Sequence, residues 1–486
     1  MVMRILTPLV CCTLLLSCQL SKRTVRPDRK WAPALLQEDL KVMQSLLEAF
    51  HPSLYAYLPR EEWMEACVTF GNGIKDSLTT HQFLYGTVLP LISTIRCGHT
   101  QARYPKRLAD QIRRHPPGFF PLQLTCWSDT LMVVGHLNPA DSLVPRGSLL
   151  TAIDGLGPRE IRDALFRFMP ADGYALNFNN HRLSTSFPAL HRNIFGLRPT
   201  YRIGIRTPAG KDTTFVLPAF RPDTSRPAGR RPLGNMTGKP LRYYHDTLSG
   251  AAVLHVQTFD KRLGVRRLYR KSFRDIRRRG TRDLIIDIRN NGGGYVDQEA
   301  QVARYLLREP FRVADTAAAV ARRMGAHRSY FHRSLDDRLV LNLLTRRQAD
   351  GKYHLRYWER RVFQPRRRNA FRGRTFVLIS GPTFSAASLF AGQMKGRENI
   401  FLLGEETGGA AYANNGLLLP ECRLPNTRIR LTIPLFRIVP NGKVPNTGRG
   451  VEPDIRVEPD AESVRMGIDR KFERVRKYIL ENPAGQ

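Results

Sequence analysis

Residues 375–388 read Thr375-Phe376-Val377-Leu378-Ile379-Ser380-Gly381-Pro382-Thr383-Phe384-Ser385-Ala386-Ala387-Ser388. The run from Thr375 to Ile379 is β-branched, aromatic or aliphatic, and predicts a short buried strand. Gly381-Pro382 signals a turn. The small residues that begin at Ser385 predict the start of a helix. A serine at such a junction presents its hydroxyl at the positive end of a helix, beside backbone N–H groups with no intrahelical partner. Nucleophilic acyl transfer uses that geometry, because an exposed oxygen attacks while adjacent amides hold the oxyanion. The alternative is an ordinary helix N-cap, which serine also favours.

The same design occurs upstream. Leu284-Ile285-Ile286-Asp287-Ile288 predicts a buried strand, Arg289-Asn290-Asn291-Gly292-Gly293-Gly294 a loop, and Asp297 to Leu307 a helix. Strand–loop–helix units predict parallel strands with crossover helices, so the fold class is α/β. Consecutive glycines let backbone approach a reacting group and present N–H donors. Neither GK[ST] nor G-x-G-x-x-G is present, which argues against a phosphate-binding loop; a plain tight turn remains the alternative.

Outward from this core, the N-terminus reads as a targeting segment. Arg4 precedes an apolar run from Ile5 to Leu16, too short to span a bilayer. It ends in Leu15-Leu16-Ser17-Cys18, which resembles a bacterial lipoprotein signal: residues 1–17 would be removed and Cys18 lipid-modified. A polar tether over 18–32 would then link the lipid to the body, giving a protein anchored to a cell-envelope membrane without crossing it. Residues 33–118 carry helical periodicity, for example Leu40, Met43, Leu46, Leu47 and Phe50, and predict a helical N-terminal domain. From 119 to 218 the period changes to two. Strands around "RGSLLTAIDG" (146–155) and a helix near Pro158–Phe168 resemble a PDZ-like, β-rich peptide-binding domain, with residues 169–196 as an insertion. A Pro/Arg/Gly-rich linker (219–242), the α/β core (243–463) and a C-terminal helix (464–486, the amphipathic pattern starting at Ala461) complete the multidomain reading. Arg312 to Arg374 is basic and weakly patterned, and reads as an insertion in the core.

The chain has 486 residues, room for roughly two to four domains, and a formal net charge of +35. Arginine clusters at 277–279, 360–361 and 366–368 lack a nucleic-acid module, so no nucleic-acid partner is expected. An anionic membrane surface or acidic substrate is the functional reading of the charge, and a generally arginine-rich composition the plainer one. Seven cysteines include Cys67, Cys97, Cys126 and Cys422 beyond the signal. None has CxxC spacing, so no metal site is expected, and any disulfide pairing stays open. Cys97 as a nucleophile is the lesser reading beside a buried structural thiol.

In combination the segments say more. "LIIDIRNNGGG" (284–294), "FSAAS" (384–388), "LLGEETGG" (402–409) and "GRGVEPDI" (448–455) occur in one order. The chain resembles the C-terminal processing (tail-specific) serine proteases, a family that includes the tricorn core. That resemblance implies Ser385 as nucleophile, an oxyanion hole from the Gly293 and Ala386 amides, and a PDZ-like domain that holds a polypeptide near its C-terminal end. Many members use a lysine in a GE-x-T-x-GK segment; here Ala410 stands in its place. Ile95-Arg96-Cys97-Gly98-His99-Thr100 resembles the "GHT" segment of the tricorn-like branch and implies His99 as general base. A carboxylate should orient that histidine. Thr447 occupies the place where the branch carries glutamate, leaving Glu405 and Glu406 as candidates. The expected activity is serine endopeptidase hydrolysis through a Ser385 acyl-enzyme, with no cofactor. The alternatives are a weak or inactive peptide-binding scaffold of the same fold and, less favoured, hydrolysis of a non-peptide ester.

Overall fold

The computed structural model describes residues 26–223, 239–332, 335–442 and 444–483. The signal segment, Cys18 and the heart of the 219–242 linker lie outside them.

A six-stranded sheet organises the α/β region. Its spatial order is Ile455–Arg456, Ile400–Gly404, Arg374–Ile379, Asp283–Asp287, Ala252–Val256 and Leu241–His245. All neighbours are parallel except the last pair. The strands Ala252–Val256 and Asp283–Asp287 are buried along their whole length, as continuous apolar runs in parallel sheets require. Each buried Leu, Ile or Val there contributes about 1.5–3 kcal/mol. Helices Val265–Arg279, Val296–Leu306 and Ala386–Met394 supply the crossovers.

Register fixes where chemistry can occur. Asp287 lies opposite Leu378, and Ile379 opposite Gly404. The loops after all three strands therefore leave the sheet at one carboxyl edge, the usual place for a site in an open parallel sheet. A second, antiparallel sheet runs in sequence order: Leu122–Trp127, Thr130–His136, Leu149–Ile153, Thr200–Arg206 and Asp212–Pro218. It has its own apolar cluster, separate from the main core. Helix Asn177–Phe195 lies along its first strand, with the Cys126 N–H donating to Ser184 Oγ at 2.8 Å.

The N-terminal helices Pro33–Phe50, Arg60–Asn72 and Leu89–Thr94 bury their apolar faces in the same cluster as the parallel sheet. A small antiparallel sheet ties them further, since Gln101–Arg103 pairs with Arg430–Thr432. The basic 312–374 segment is also not a bare insertion: its strand Ala314–Ala319 pairs with Arg437–Pro440. The closing helix is broken. Ala461–Met466 ends at Gly467, whose φ of 67° gives a left-handed cap, and Asp469 caps a new helix, Arg470–Glu481. The second piece buries Val475 and Ile479, whereas Met466 and Ile468 at the break are exposed. The four cysteines after the signal are buried and free.

Two buried histidines make the fold acid-sensitive. Burial lowers His51 to about 3 and His191 to about 4. His191 sits among Phe120, Phe187, Phe195 and Tyr201 with its Nδ1 unpartnered. Unfolding lets each histidine bind a proton below its ordinary value, so this stability is present above pH 6.5 and lost as pH falls towards those lowered values. The slope is about 1.4 kcal/mol per pH unit per histidine in that window. His191→Phe is expected to raise the Tm at pH 5 by clearly more than at pH 8; equal shifts at both pH values would contradict this.

Candidate active site

Ser385 follows the strand Arg374–Ile379 and stands immediately before helix Ala386–Met394. Its φ of 54° and ψ of −126° are costly for a residue with a Cβ, on the order of 1–3 kcal/mol. The surrounding loop enforces them. Thr383 Oγ1 accepts from the Ser380 N–H and donates to the Ile288 carbonyl, both at 3.0 Å, and the Phe384 N–H donates to the Asn291 carbonyl at 3.0 Å. The hydroxyl of Ser385 makes no capping hydrogen bond. That removes the ordinary N-cap reading, because a capping serine sits in extended backbone and accepts from the first helical turn.

The glycine loop packs directly against this turn. A Cβ at Gly293 would lie 2.7 Å from Ser385 Cβ and 3.0 Å from the Ala386 nitrogen, and its φ of 101° suits glycine. The expected pair of oxyanion donors is nevertheless altered. The Gly293 N–H donates to Asn291 Oδ1 at 2.8 Å, and Asn291 is locked in turn by its Nδ2 donating to the Val256 carbonyl at 3.0 Å. Asn291 thus commits the Gly293 amide, which leaves Ala386, at the first helical position, as the donor beside the serine.

His99 is 5 % exposed and packs tilted against Phe384, with ring centroids 4.8 Å apart. It reaches the sheet edge because the strand two residues later, Gln101–Arg103, is hydrogen-bonded into the core. Its position relative to Ser385 is read through Gly416. A Cβ there would sit 2.6 Å from His99 Nε2 and 2.8 Å from Ser385 Oγ. Both atoms therefore face one point across a gap that only glycine leaves open. They are not hydrogen-bonded in this state, as both ring nitrogens of His99 lack a partner. Catalytic hydrogen bonds are often long before substrate binds.

Gly416 is held by its own loop. Its N–H donates to Asn414 Oδ1 at 2.7 Å, and Asn414 exchanges backbone hydrogen bonds with Ile438. Asn415 accepts from Ser53 Oγ at 2.9 Å and donates to Cys97 Sγ at 3.3 Å. Sequence reasoning passed over Gly416, because a glycine after two asparagines looks like an ordinary turn. Gly416→Ala is expected to wedge the two side chains apart and lower kcat/KM by about 10²-fold or more. Thermal unfolding should change little, since position 416 is only half-buried; an active alanine variant would refute this geometry.

The carboxylate next to His99 is Asp172, which sequence reasoning missed. Its Oδ1 lies 3.9 Å from His99 Nδ1 and accepts the Gly98 N–H at 2.7 Å. A Cβ at Gly98 would press on Phe384 at 2.8 Å and on Asp172 Oδ1 at 3.3 Å, which explains glycine before the histidine. Asp172 belongs to the 169–196 segment read as an insertion. Gly173 N–H donates to the Arg96 carbonyl at 2.9 Å, and Tyr174 N–H to the Gly448 carbonyl at 2.7 Å. The acid thus arrives beside the segment where Thr447 replaces a glutamate, but from a distant part of the chain. Glu405 and Glu406 do not serve as orienting groups. Glu405 pairs with Lys471 at 2.5 Å, while Glu406 pairs with Arg449 and accepts the Gly450 N–H, both at 2.7 Å. Ala410 lies buried and bridged to Gly450.

Burial holds the His99 imidazole below its ordinary value, with Asp172 opposing. Burial likewise raises Asp172, opposed first by His99 and then by the Gly98 amide. The lowering favours the neutral imidazole of His99. Burial pushes the Cys97 thiol up to about 11, which disqualifies it as a nucleophile. Donor atoms of Cys97, His99 and Asp172 lie within 4.8 Å of one another, a looser set than metal–ligand geometry requires.

Residues 250–457 match the model of peptidase family S41. The chain carries an S41 peptidase domain. Structures of mature CPAF resemble it across nearly the whole length. Mature CPAF complexed with lactacystin is 15 % identical with a TM-score of 0.61, covering 92 % of this chain and 98 % of that one. Mature CPAF alone is 16 % identical with the same TM-score, covering 92 % and 97 %. At such identity the likeness is one of fold. No curated protein sequence matches the chain. The S41 match includes Ser385, Gly293, Ala386 and Gly416; His99 and Asp172 lie outside it, supplied by the N-terminal segment and the loop before helix Asn177–Phe195.

Proposed function

We propose that this S41 peptidase is a serine endopeptidase in which Ser385 attacks a peptide carbonyl and His99 takes the hydroxyl proton. The acyl-enzyme forms as His99 returns that proton to the leaving amine, and water then releases the second product. The observation that carries this reading is the gap at Gly416, which Ser385 Oγ and the neutral His99 Nε2 both face. Asp172 orients the base, and the Ala386 amide stabilises the oxyanion. The five-stranded antiparallel sheet supports a PDZ-like module that holds a polypeptide as an added strand, with cleavage near its C-terminal end. We further propose anchoring to a bacterial envelope membrane through lipidated Cys18.

A fluorophosphonate probe tests the nucleophile. Mass spectrometry should find the adduct on Ser385 in folded protein and none after denaturation. Labelling should fall sharply in His99→Ala. An adduct elsewhere would overturn the assignment, and peptide binding without any adduct would favour a binding scaffold.

A further inference from the structure

The arginine runs in the sequence converge in the fold. Helix Val265–Arg279 carries Arg266, Arg270 and Arg274 at four-residue intervals on one exposed face, where like charges repel. Helix Val296–Leu306 adds Arg304. Backbone and side-chain bonds then lay a third segment along the end of that helix. Arg366 N–H donates to the Arg304 carbonyl at 2.7 Å, Phe371 N–H to the Tyr305 carbonyl at 2.8 Å, and Arg304 Nε to the Gln364 carbonyl at 2.7 Å. Arg366-Arg367-Arg368 is thereby fixed opposite the arginine face.

Two adjoining cavities of about 330 and 340 Å³ lie between these segments and share Arg270, Tyr305 and Arg366. Their charge is largely uncompensated. Arg266 pairs with Asp297 at 2.6 Å, but among the described residues no carboxylate pairs with Arg270, Arg274, Arg304 or the 366–368 run. Burial, and then repulsion from Arg366, Arg361 and Arg266, holds Arg304 below its ordinary value. Buried polar atoms also lack partners there. Tyr269, 1 % exposed, lines the first cavity with its hydroxyl unpartnered, and Arg366 Nε is buried without a partner. Glu299, close to Tyr269, is fully buried, and burial raises its carboxyl well above the usual range. The floor is rigid: Tyr305 stacks on Phe273 at 4.2 Å and lies 5.6 Å beneath the Arg366 guanidinium.

We propose that this groove, between helices Val265–Arg279 and Val296–Leu306 and residues 365–369, binds a ligand that carries two phosphate groups. Guanidinium forks match phosphate oxygens bidentately, and arginine suits that task better than lysine. A phosphate carries more charge and more acceptor oxygens than a carboxylate, so two such groups can offset the cluster within cavities of this size. Arg270 and Arg366, common to both cavities, bridge the two groups, and the Tyr269 hydroxyl donates to one of them. The ligand is either a soluble diphosphate or a phosphate-bearing lipid headgroup.

Calorimetric titration of the full chain with inorganic pyrophosphate tests this. Saturable binding is expected that Arg270→Gln with Arg366→Gln weakens by about tenfold or more, as loss of charge-assisted bonds implies. The same double variant should keep peptidase activity and melt no lower than the wild type, because it relieves repulsion; a misfolded variant would fail both checks. Flotation with phosphatidylcholine vesicles, with and without cardiolipin, whose headgroup carries two phosphates, separates the sources. Pyrophosphate binding together with flotation on the cardiolipin vesicles alone, both lost in the variant, assigns a lipid headgroup; pyrophosphate binding without flotation assigns a soluble ligand. The proposal is overturned if pyrophosphate does not bind, if the variant binds it equally well, or if only poly-glutamate or an oligonucleotide is retained by these arginines.

Discussion

Ser385→Ala is expected to lower kcat on a denatured polypeptide by about 10⁶-fold, and His99→Ala by a similar factor. The double variant should be hardly worse than either single one. The reason is geometric. Both reactive atoms face the point a Cβ at Gly416 would occupy, and neither is hydrogen-bonded elsewhere, so the base has no other proton to take and the hydroxyl no other base. Additive losses would show that the two residues act separately and would remove His99 from the mechanism. A companion measurement uses the backbone. Ser385 holds φ at 54°, where glycine is unstrained, so Ser385→Gly should abolish activity while raising stability by about 1 kcal/mol. Ser385→Ala keeps the strain and should melt close to the wild type. A loss of stability in Ser385→Gly would mean that the turn is not strained.

The parts of this site that follow strands were legible in the sequence. Leu284–Ile288 and Thr375–Ile379 are continuous apolar runs ending in glycine-containing turns, and local pattern alone predicts both the strand and the loop at its end. Their observed limits differ by one residue at each affected end, Asp283–Asp287 and Arg374–Ile379. What sequence could not supply is the meeting of distant segments. Asp172 lies in a stretch with no motif, and its approach to His99 depends on Gly173 and Tyr174 bonding to Arg96 and Gly448. Glu405 and Glu406 are candidates in the sequence because Asn441 to Arg449, where the orienting glutamate is expected, contains no carboxylate. In the fold their carboxylates turn to Lys471 and Arg449, cations that lie far along the chain. The committed Gly293 amide has the same origin: Asn291 reads as a loop residue, and its clamp on Gly293 appears only once Val256 is placed beside it.

Asp172→Asn is expected to lower kcat by about 10⁴-fold while Ser385 and His99 remain in place. In the proposed mechanism the carboxylate, 3.9 Å from Nδ1 in this state, closes on that nitrogen when substrate binds, which leaves Nε2 unprotonated towards Ser385 and stabilises the imidazolium that forms during acylation. Asparagine can keep the Gly98 N–H bond through its carbonyl oxygen, so the fold should survive, but the charge is lost. The pH profile separates this role from a structural one. Burial lowers His99 and the Asp172 carboxylate raises it, so the acid limb of kcat/KM in the wild type should lie below pH 6.5. Without the carboxylate, burial acts unopposed, and the limb should move to still lower pH as the maximum rate collapses. Asp172→Glu should restore part of the rate and return the limb towards its original position. A limb that stays put in Asp172→Asn, or moves to higher pH, would show that the carboxylate supports the loop and not the base.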